Sequence, residues 1–347
     1  MIPVFWKEIS MPDIKDYALT RRAFASAAAS GALAAIASPA AAATPGEGGT
    51  ATSPSGKPGS FWPNGARLAI SISLMFEGGG QAISGAGGPL SEPIKTGFPD
   101  QPTNAFFAYG VNEGIPRALD LLDKHDIKVT SFMIGKAIEQ HPDLAREIVR
   151  RGHEAGAHGP TWSASYDLPR EQEKTFIKDS VVTIRRNTRQ QPVGWNAFWL
   201  RNSIHISETL QDLGFLYSID EPSRDEPFII PVRGRDFAMA PYTIQMNDFL
   251  FPFQGYDPQG HEQALRDEFD QLYEEAATRR RMMVIGMHDR VSGHANRIRV
   301  LDRFFTYAKC HDGVWFARKD EIARWALSQR QFTTIADRGP PAETGLP

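Results

Sequence analysis

Between residues 67 and 327 the sequence switches repeatedly between short apolar runs and longer stretches with an apolar residue every three or four positions. This alternation constrains the fold more than any other feature. Strands of a parallel sheet need a crossover between them, and helices packed outside the sheet supply it while burying the apolar faces of both. The apolar runs fall at 67–77, 127–134, a short run into His158, 193–198, 215–219, 237–244, 282–288 and 314–316. Helical patterns fall at 112–125, 142–151, 169–189, 207–213, 262–278, 296–311 and 319–327. Eight strands alternating with helices predict an α/β fold that curls into a barrel, with an open doubly wound sheet as the alternative. No Gly-x-Gly-x-x-Gly opens a helix after the first strand, so a dinucleotide site is not expected. Instead Glu77 is followed by three glycines, and 78–104 is rich in Gly and Pro without a period. A segment of that length reads as a lid or binding loop.

With 41% hydrophobic residues in 347, the chain can build a large core, and a formal net charge of −3 without long runs of one sign argues against a nucleic-acid surface. Cys310 is the only cysteine, which excludes an intramolecular disulfide and a cysteine-cluster zinc site. Near the start, Thr20, Arg21, Arg22, Ala23 and Phe24 form a twin-arginine pattern, followed by an Ala-rich apolar stretch to Ile36. Ala41 and Ala43 provide small-x-small spacing, so 1–43 reads as a twin-arginine signal peptide, with cleavage after Ala43 and a periplasmic destination. Residues 44–60 are expected to be a flexible linker, 61–330 the folded barrel and 331–347 a tail, with no stable membrane anchor.

In a barrel of this kind reacting groups sit at the C-terminal ends of strands. Five polar residues fall there: Glu77, His158, Arg201 just beyond 193–198, Asp248 after Ile244, and His288. Each has an ordinary structural alternative. Glu77 can cap a helix, Asp248 can hold a turn beside Asn247, and His288 can be a satisfied core histidine. The stretch 152–162, Gly-His-Glu-Ala-Gly-Ala-His-Gly-Pro-Thr-Trp, places two histidines among small residues that let a ligand approach the backbone. His153 and His158 are five apart in a Gly-broken segment, so the helical His-Glu-x-x-His zinc pattern does not fit. A zinc site drawn from separate strands, His158, His288 and Glu77, stays open on residue types alone.

Taken together, 74–79, 152–162, 194–203, 241–249 and 285–290 resemble the five motifs of the polysaccharide deacetylase (NodB-homology) family, most closely its metal-independent allantoinase branch. The resemblance runs from about Phe61 to Leu327. It implies a distorted barrel of seven or eight strands and hydrolysis of a carbon–nitrogen bond that is not a peptide bond. It also implies a homo-oligomer. Metal-dependent members carry a second acid after the first and a histidine four residues beyond the one matching His158; here those positions are Gly78 and Trp162. Tryptophan has no lone pair to give a metal, so no cofactor is expected, zinc included. The branch's acidic residues correspond to Gly78 and Gln81, so the expected substrate is an amide or cyclic ureide in general, with an N-acetylated oligosaccharide or peptidoglycan as the alternative. A barrel that binds such molecules without catalysis is a third reading.

On this reading Glu77 activates water, and His288, oriented by Asp248, protonates the leaving nitrogen. Arg201 and His158 position the substrate and stabilise the oxyanion. Trp162, Trp195, Asn247 and Phe249 are the expected substrate contacts. Phe251, Phe253 and Tyr256 continue an aromatic run that could line the mouth.

Overall fold

Nine strands make one curled sheet in the computed structural model, which describes residues 57–81, 88, 92, 94–95, 97–250 and 257–336. The expected signal peptide 1–43, most of the linker, Phe251, Phe253, Tyr256 and 337–347 of the tail lie outside the described residues. The strands are β1 (Leu68–Phe76), β2 (Thr130–Met133), β3 (Glu154–Ala157), β4 (Gly194–Trp195), β5 (Tyr217–Ser218), β6 (Phe228–Val232), β7 (Arg235–Met239), β8 (Arg281–His288) and β9 (Val314–Ala317). Their order is β6-β7-β5-β4-β3-β2-β1-β8, and every pair is parallel except β6 with β7. The result is a half-barrel of mostly parallel strands.

β1 is the centre of this arrangement, and its sequence explains why. All nine of its residues are buried. Leu68, Ile70, Ile72 and Leu74 face outward into a core shared with α2 (Ile115–Lys124), α7 (Pro258–Glu275) and α9 (Ala295–Lys309), while Ala69 and Met75 face the barrel interior. A strand covered on both faces needs no polar alternation. β8 pairs with β1 over 68–75, β2 takes the other edge at 73–76, and β9 takes that edge at 68–71.

Further helices are α1 (Gln101–Tyr109), α3 (Gly135–Gln140), α4 (Pro142–Arg150), α5 (Arg170–Thr188), α6 (Ile206–Asp212), α8 (Asp289–Ser292) and α10 (Lys319–Ser328). α1 begins inside the segment read as a loop, because Asp100 caps it by accepting hydrogen bonds from the Thr103 amide and hydroxyl. The helix pattern at 112–125 starts later than expected, after a π-helical turn at Gly110–Gly114.

Three strands differ from expectation. The run 193–198 forms ladder bonds only at Gly194–Trp195, since the Asp220 carboxylate captures the Ala197 amide at 2.9 Å and the Asn196 side chain at 2.8 Å. The run 237–244 ends as a strand at Met239 and begins at Arg235, pairing with β6, which periodicity did not reveal. The β6–β7 turn at Arg233 and Gly234 has φ of 48° and 75°, a tight hairpin geometry that an arginine rarely signals. Beyond β7 the chain arches back to β8: Met246 accepts from the Gly286 amide at 2.9 Å and the Asp248 amide donates to Gly286 at 3.2 Å. This contact brings the 246–248 segment beside the strand that ends in His288.

Candidate active site

Glu77 is the first residue past β1, and it is buried. Its amide and that of Gly78 both donate to Asp289 Oδ2, at 2.9 and 2.8 Å, which holds the strand end against the start of α8. Its two carboxylate oxygens have different partners. Oε1 lies 3.2 Å from His158 Nε2 and 3.9 Å from His288 Nε2, and Oε2 accepts from Arg290 Nη1 at 2.5 Å.

Each imidazole is oriented from behind. His158 follows β3, and its Nδ1 donates to the Asn196 carbonyl at 2.9 Å. A carbonyl can only accept, so Nδ1 is the donor in that contact and Nε2 faces Glu77 Oε1. Asn196 is in turn held by Asp220, which also takes Ser218 and Asn202. His288 ends β8, and its Nδ1 lies 2.7 Å from Asp248 Oδ1. Asp248 Oδ2 accepts from the His288 amide and from the amide and hydroxyl of Ser292, so the carboxylate is fixed on both sides.

The electrostatics follow from this packing. Burial pushes Glu77 up, but Arg290, then His288 and His158, outweigh it and hold the carboxylate well below the usual range. For His288 burial pulls down, while Asp248 and Glu77 overcome it and raise the value above that of free imidazole. Burial likewise opposes ionisation of Arg290, and Glu77 and Asp289 more than restore it. Tyr242, pushed well up by burial and by Asp248 and Glu77, stays a phenol, and its hydroxyl has no hydrogen-bond partner among the described residues.

Above the carboxylate is a pocket walled by Trp162, Trp199, Tyr242, Ile244, Asn247 and Phe249, with Glu77, His158, His288 and Arg290 also lining it. Trp162 packs edge-on against Phe107 and Phe198, with ring centres 6.2 and 4.8 Å away. The Phe249 ring sits 5.6 Å from that of His288. Asn247 accepts from the Phe249 amide at 3.0 Å and so shapes the turn that presents that ring.

The fold thus gathers Glu77, His158, Asp248 and His288, with Trp162, Asn247 and Phe249 around them. Two expected residues stay out. Arg201 is exposed and does not line the pocket, because the chain leaves β4 through the tight turn Phe198–Leu200, which points the pocket-lining role to Trp199 and Leu200. Trp195 is a core residue, 1% exposed, its ring 6.1 Å from Phe215 inside the outer hydrophobic cluster. His153 is structural: its Nδ1 accepts from the Val129 amide at 3.1 Å, and burial lowers its pKa to about 4. Arg290, Asp289, Asn196, Asp220 and Tyr242 were not singled out from sequence. The first two directly follow His288, so the rule that polar residues at strand ends carry the chemistry could have found them.

Comparisons with known proteins give the family. The sequence model of the polysaccharide deacetylase family matches residues 98–217. A Schizosaccharomyces pombe (strain 972 / ATCC 24843) protein named "Putative polysaccharide deacetylase" is 29% identical over 291 residues, 76% of this chain and 91% of that protein. The crystal structure of a "probable Polysaccharide deacetylase" from Pseudomonas aeruginosa PAO1 matches with a TM-score of 0.72 and 31% identity, over 78% of this chain and 95% of that one. The chain belongs to the polysaccharide deacetylase family. A second family-like structure, an allantoinase, matches with a TM-score of 0.72 and 30% identity, over 81% of this chain and 98% of that one. Family membership makes this a hydrolase of carbon–nitrogen bonds other than peptide bonds.

The metal ion of metal-dependent deacetylases does not fit the residues present. Trp162 offers no lone pair, and His158, whose Nδ1 is taken by the Asn196 carbonyl, has only Nε2 to offer. At position 78 a Cβ would fall 2.8 Å from both the Phe107 carbonyl and Val111 Cγ1 and 3.3 Å from Asp289 Oδ2, so the backbone there has no room for an acid. Among the described residues no group of three His, Cys, Asp or Glu side chains is placed to hold a metal ion.

Proposed function

We propose that this chain hydrolyses the amide bond of a cyclic ureide or a related small amide without a metal ion. The observation that carries the reading is the Glu77 carboxylate enclosed by two imidazoles and a guanidinium beneath Trp162. Aromatic walls favour a planar ring stacked above the carboxylate. The likeness to an allantoinase structure over most of both chains supports the same class of substrate.

In this mechanism water stands between Glu77 Oε1 and the substrate carbonyl. Its oxygen forms the new bond to the carbonyl carbon, and its proton passes to Glu77. The carbonyl electron pair moves to oxygen and returns as the carbon–nitrogen bond breaks. His288, protonated and held by Asp248, gives its proton to the leaving nitrogen. The products are a carboxylic acid, which ionises, and an amine or urea nitrogen, and the proton on Glu77 returns to His288, 3.9 Å away, to restore the site. His158, fixed by Asn196, positions the carboxylate and the carbonyl.

The test offers hydantoin, dihydrouracil, allantoin and N-acetylglucosamine oligomers to the purified protein in the presence of EDTA, following ring opening by NMR and acetate enzymatically. Ring opening that persists in EDTA and disappears in Glu77→Gln is expected. Acetate release that depends on added zinc would overturn the proposal in favour of a deacetylase. We also propose export by the twin-arginine route, supported by Arg21, Arg22 and the Ala-rich stretch that follows. An Arg21→Lys/Arg22→Lys chain found in the periplasm in undiminished amount would contradict it.

A further inference from the structure

We infer that Arg290 is a catalytic residue of this site, its guanidinium taking the negative charge that develops on the substrate carbonyl oxygen. The inference rests on the hydrolytic reading above. The position of the guanidinium and the way it is held carry it.

Arg290 is 1% exposed yet lines the pocket, so its charge faces the substrate space and almost no bulk solvent. A guanidinium in such a place acts on a developing oxyanion far more strongly than one at the surface. Every side-chain hydrogen bond it makes to a described residue leaves from Nη1, to Glu77 Oε2 and Asp289 Oδ1, and Nε is buried with no partner. The group therefore holds unspent donors beside the reacting carboxylate. Its plane is fixed by aromatic rings, with Cζ 4.1 Å from the centre of Phe107 and 5.4 Å from that of Phe249.

The surrounding residues hold this cation in place. Position 78 is too crowded for the second acid of the metal-dependent relatives, and Asp289 puts its carboxylate at the amides of Glu77 and Gly78 instead. Asp289 also anchors Arg290 through its backbone amide at 2.7 Å and through Nη1 at 3.3 Å. In the step, water attacks and loses its proton to Glu77, the carbonyl electrons move to oxygen, and Arg290 turns part of its attraction from Glu77 to that oxygen. Glu77 becomes a better base at the moment it receives the proton. Collapse of the oxyanion expels the nitrogen, protonated by His288, and returns Arg290 to Glu77.

The experiment compares wild type with Arg290→Lys and Arg290→Ala in two ways. Turnover of the cyclic ureide that the wild type opens should fall about a hundredfold in Arg290→Ala with KM changed far less, and about tenfold in Arg290→Lys, which keeps the charge but not the fork. Added guanidinium ion should restore part of the Arg290→Ala activity, and kcat/KM of that variant should gain an acid limb as Glu77 is released from its main partner. Separately, calorimetry with hydantoate and with acetate, the carboxylates formed by ring opening and by deacetylation, should show binding to wild type that weakens at least tenfold in both variants. Wild-type kcat in Arg290→Lys and Arg290→Ala, or carboxylate binding that neither substitution alters, would overturn the role, as would a wild type that binds neither carboxylate. A protein that opens no ureide but binds acetate through Arg290 would defeat the ureide reading and leave this one standing. Where Arg290→Ala does not fold, Arg290→Lys carries the comparison.

Discussion

Glu77 is buried and ionised at once, a combination that costs free energy unless cations and hydrogen-bonding groups surround the charge. Arg290, His288 and His158 do so, and the same contacts that keep the carboxylate charged set its chemistry. Glu77→Gln should lower turnover by roughly two to four orders of magnitude, the usual worth of a general base, while binding of a cyclic ureide analogue measured by calorimetry stays within a few-fold. The pH dependence follows from the two shifted groups. Because Glu77 lies well below the carboxylate range, kcat/KM should show no loss between pH 7 and 5. Because His288 is raised, its acidic form persists above the ordinary imidazole value of 6.5 and is lost only as pH climbs through the higher folded value, so activity should decline on the alkaline side. Asp248→Asn removes the largest cause of that rise and should move the alkaline limb to lower pH. An alkaline limb that stays in place would show that another group donates the proton. The stability linkage has the matching signs. The His288 contribution is full below 6.5 and lost as pH rises through its folded value, and the Glu77 contribution is present above 4.5 and lost as pH falls through its folded value.

The elements that deliver these residues are held by few but specific contacts. β1 and α8 are joined where Asp289 takes the amides of Glu77 and Gly78, and the π-helical turn at Gly110–Gly114 packs against the same aspartate. Gly78→Ala would put its Cβ 2.8 Å from a backbone carbonyl that cannot swing away. The expected cost is about 1–3 kcal/mol of stability, read by urea denaturation, with a larger loss of turnover than of binding because Glu77 moves with its neighbour. Unchanged stability and activity would mean that the strand end tolerates displacement and is not what positions Glu77. β4 has the same kind of dependence on one side chain. Asp220 stops the ladder at Trp195 and fixes Asn196, the acceptor for His158. Periodicity in the sequence extended that strand to Phe198 because it records apolar content and not the hydrogen bond that ends the pairing.

Across the described residues, buried polar groups gather at both ends of the strands, and the Glu77 end carries the pocket described above. At the start of β3, Glu154 is buried and accepts from Thr130, Tyr217 and the Asp320 amide, while Lys319 donates to the Pro241 carbonyl at 2.9 Å. Burial, with Asp320 adding to it, pushes Glu154 up to about 7 from an ordinary value of 4.5. A folded value above the unfolded one stabilises fully below pH 4.5, and that contribution is lost as pH rises through 7. This group should therefore make the protein less stable at pH 8 than at pH 5, by on the order of 2 kcal/mol. Thermal unfolding should show that difference shrinking in Glu154→Gln. An equal difference in both proteins would remove Glu154 as its source.

The sequence by itself determined the α/β class, the parallel barrel and the strand ends at which Glu77, His158 and His288 stand, because apolar periodicity and strand-end position are local properties of the chain. It also marked Gly78 and Trp162 as departures from a metal site, since the side chain alone decides whether a lone pair exists. Only the tertiary structure decided that Arg290 and not Arg201 brings its guanidinium to Glu77, that Trp195 belongs to the core, and that Asp289 takes the amides of Glu77 and Gly78. Those outcomes depend on contacts between residues more than two hundred positions apart, Glu77 with Arg290 above all, and on a turn after β4 set by Asp220. Sequence spacing carries no record of either, because the partner of a buried charge is chosen by what the closed sheet brings within hydrogen-bond reach.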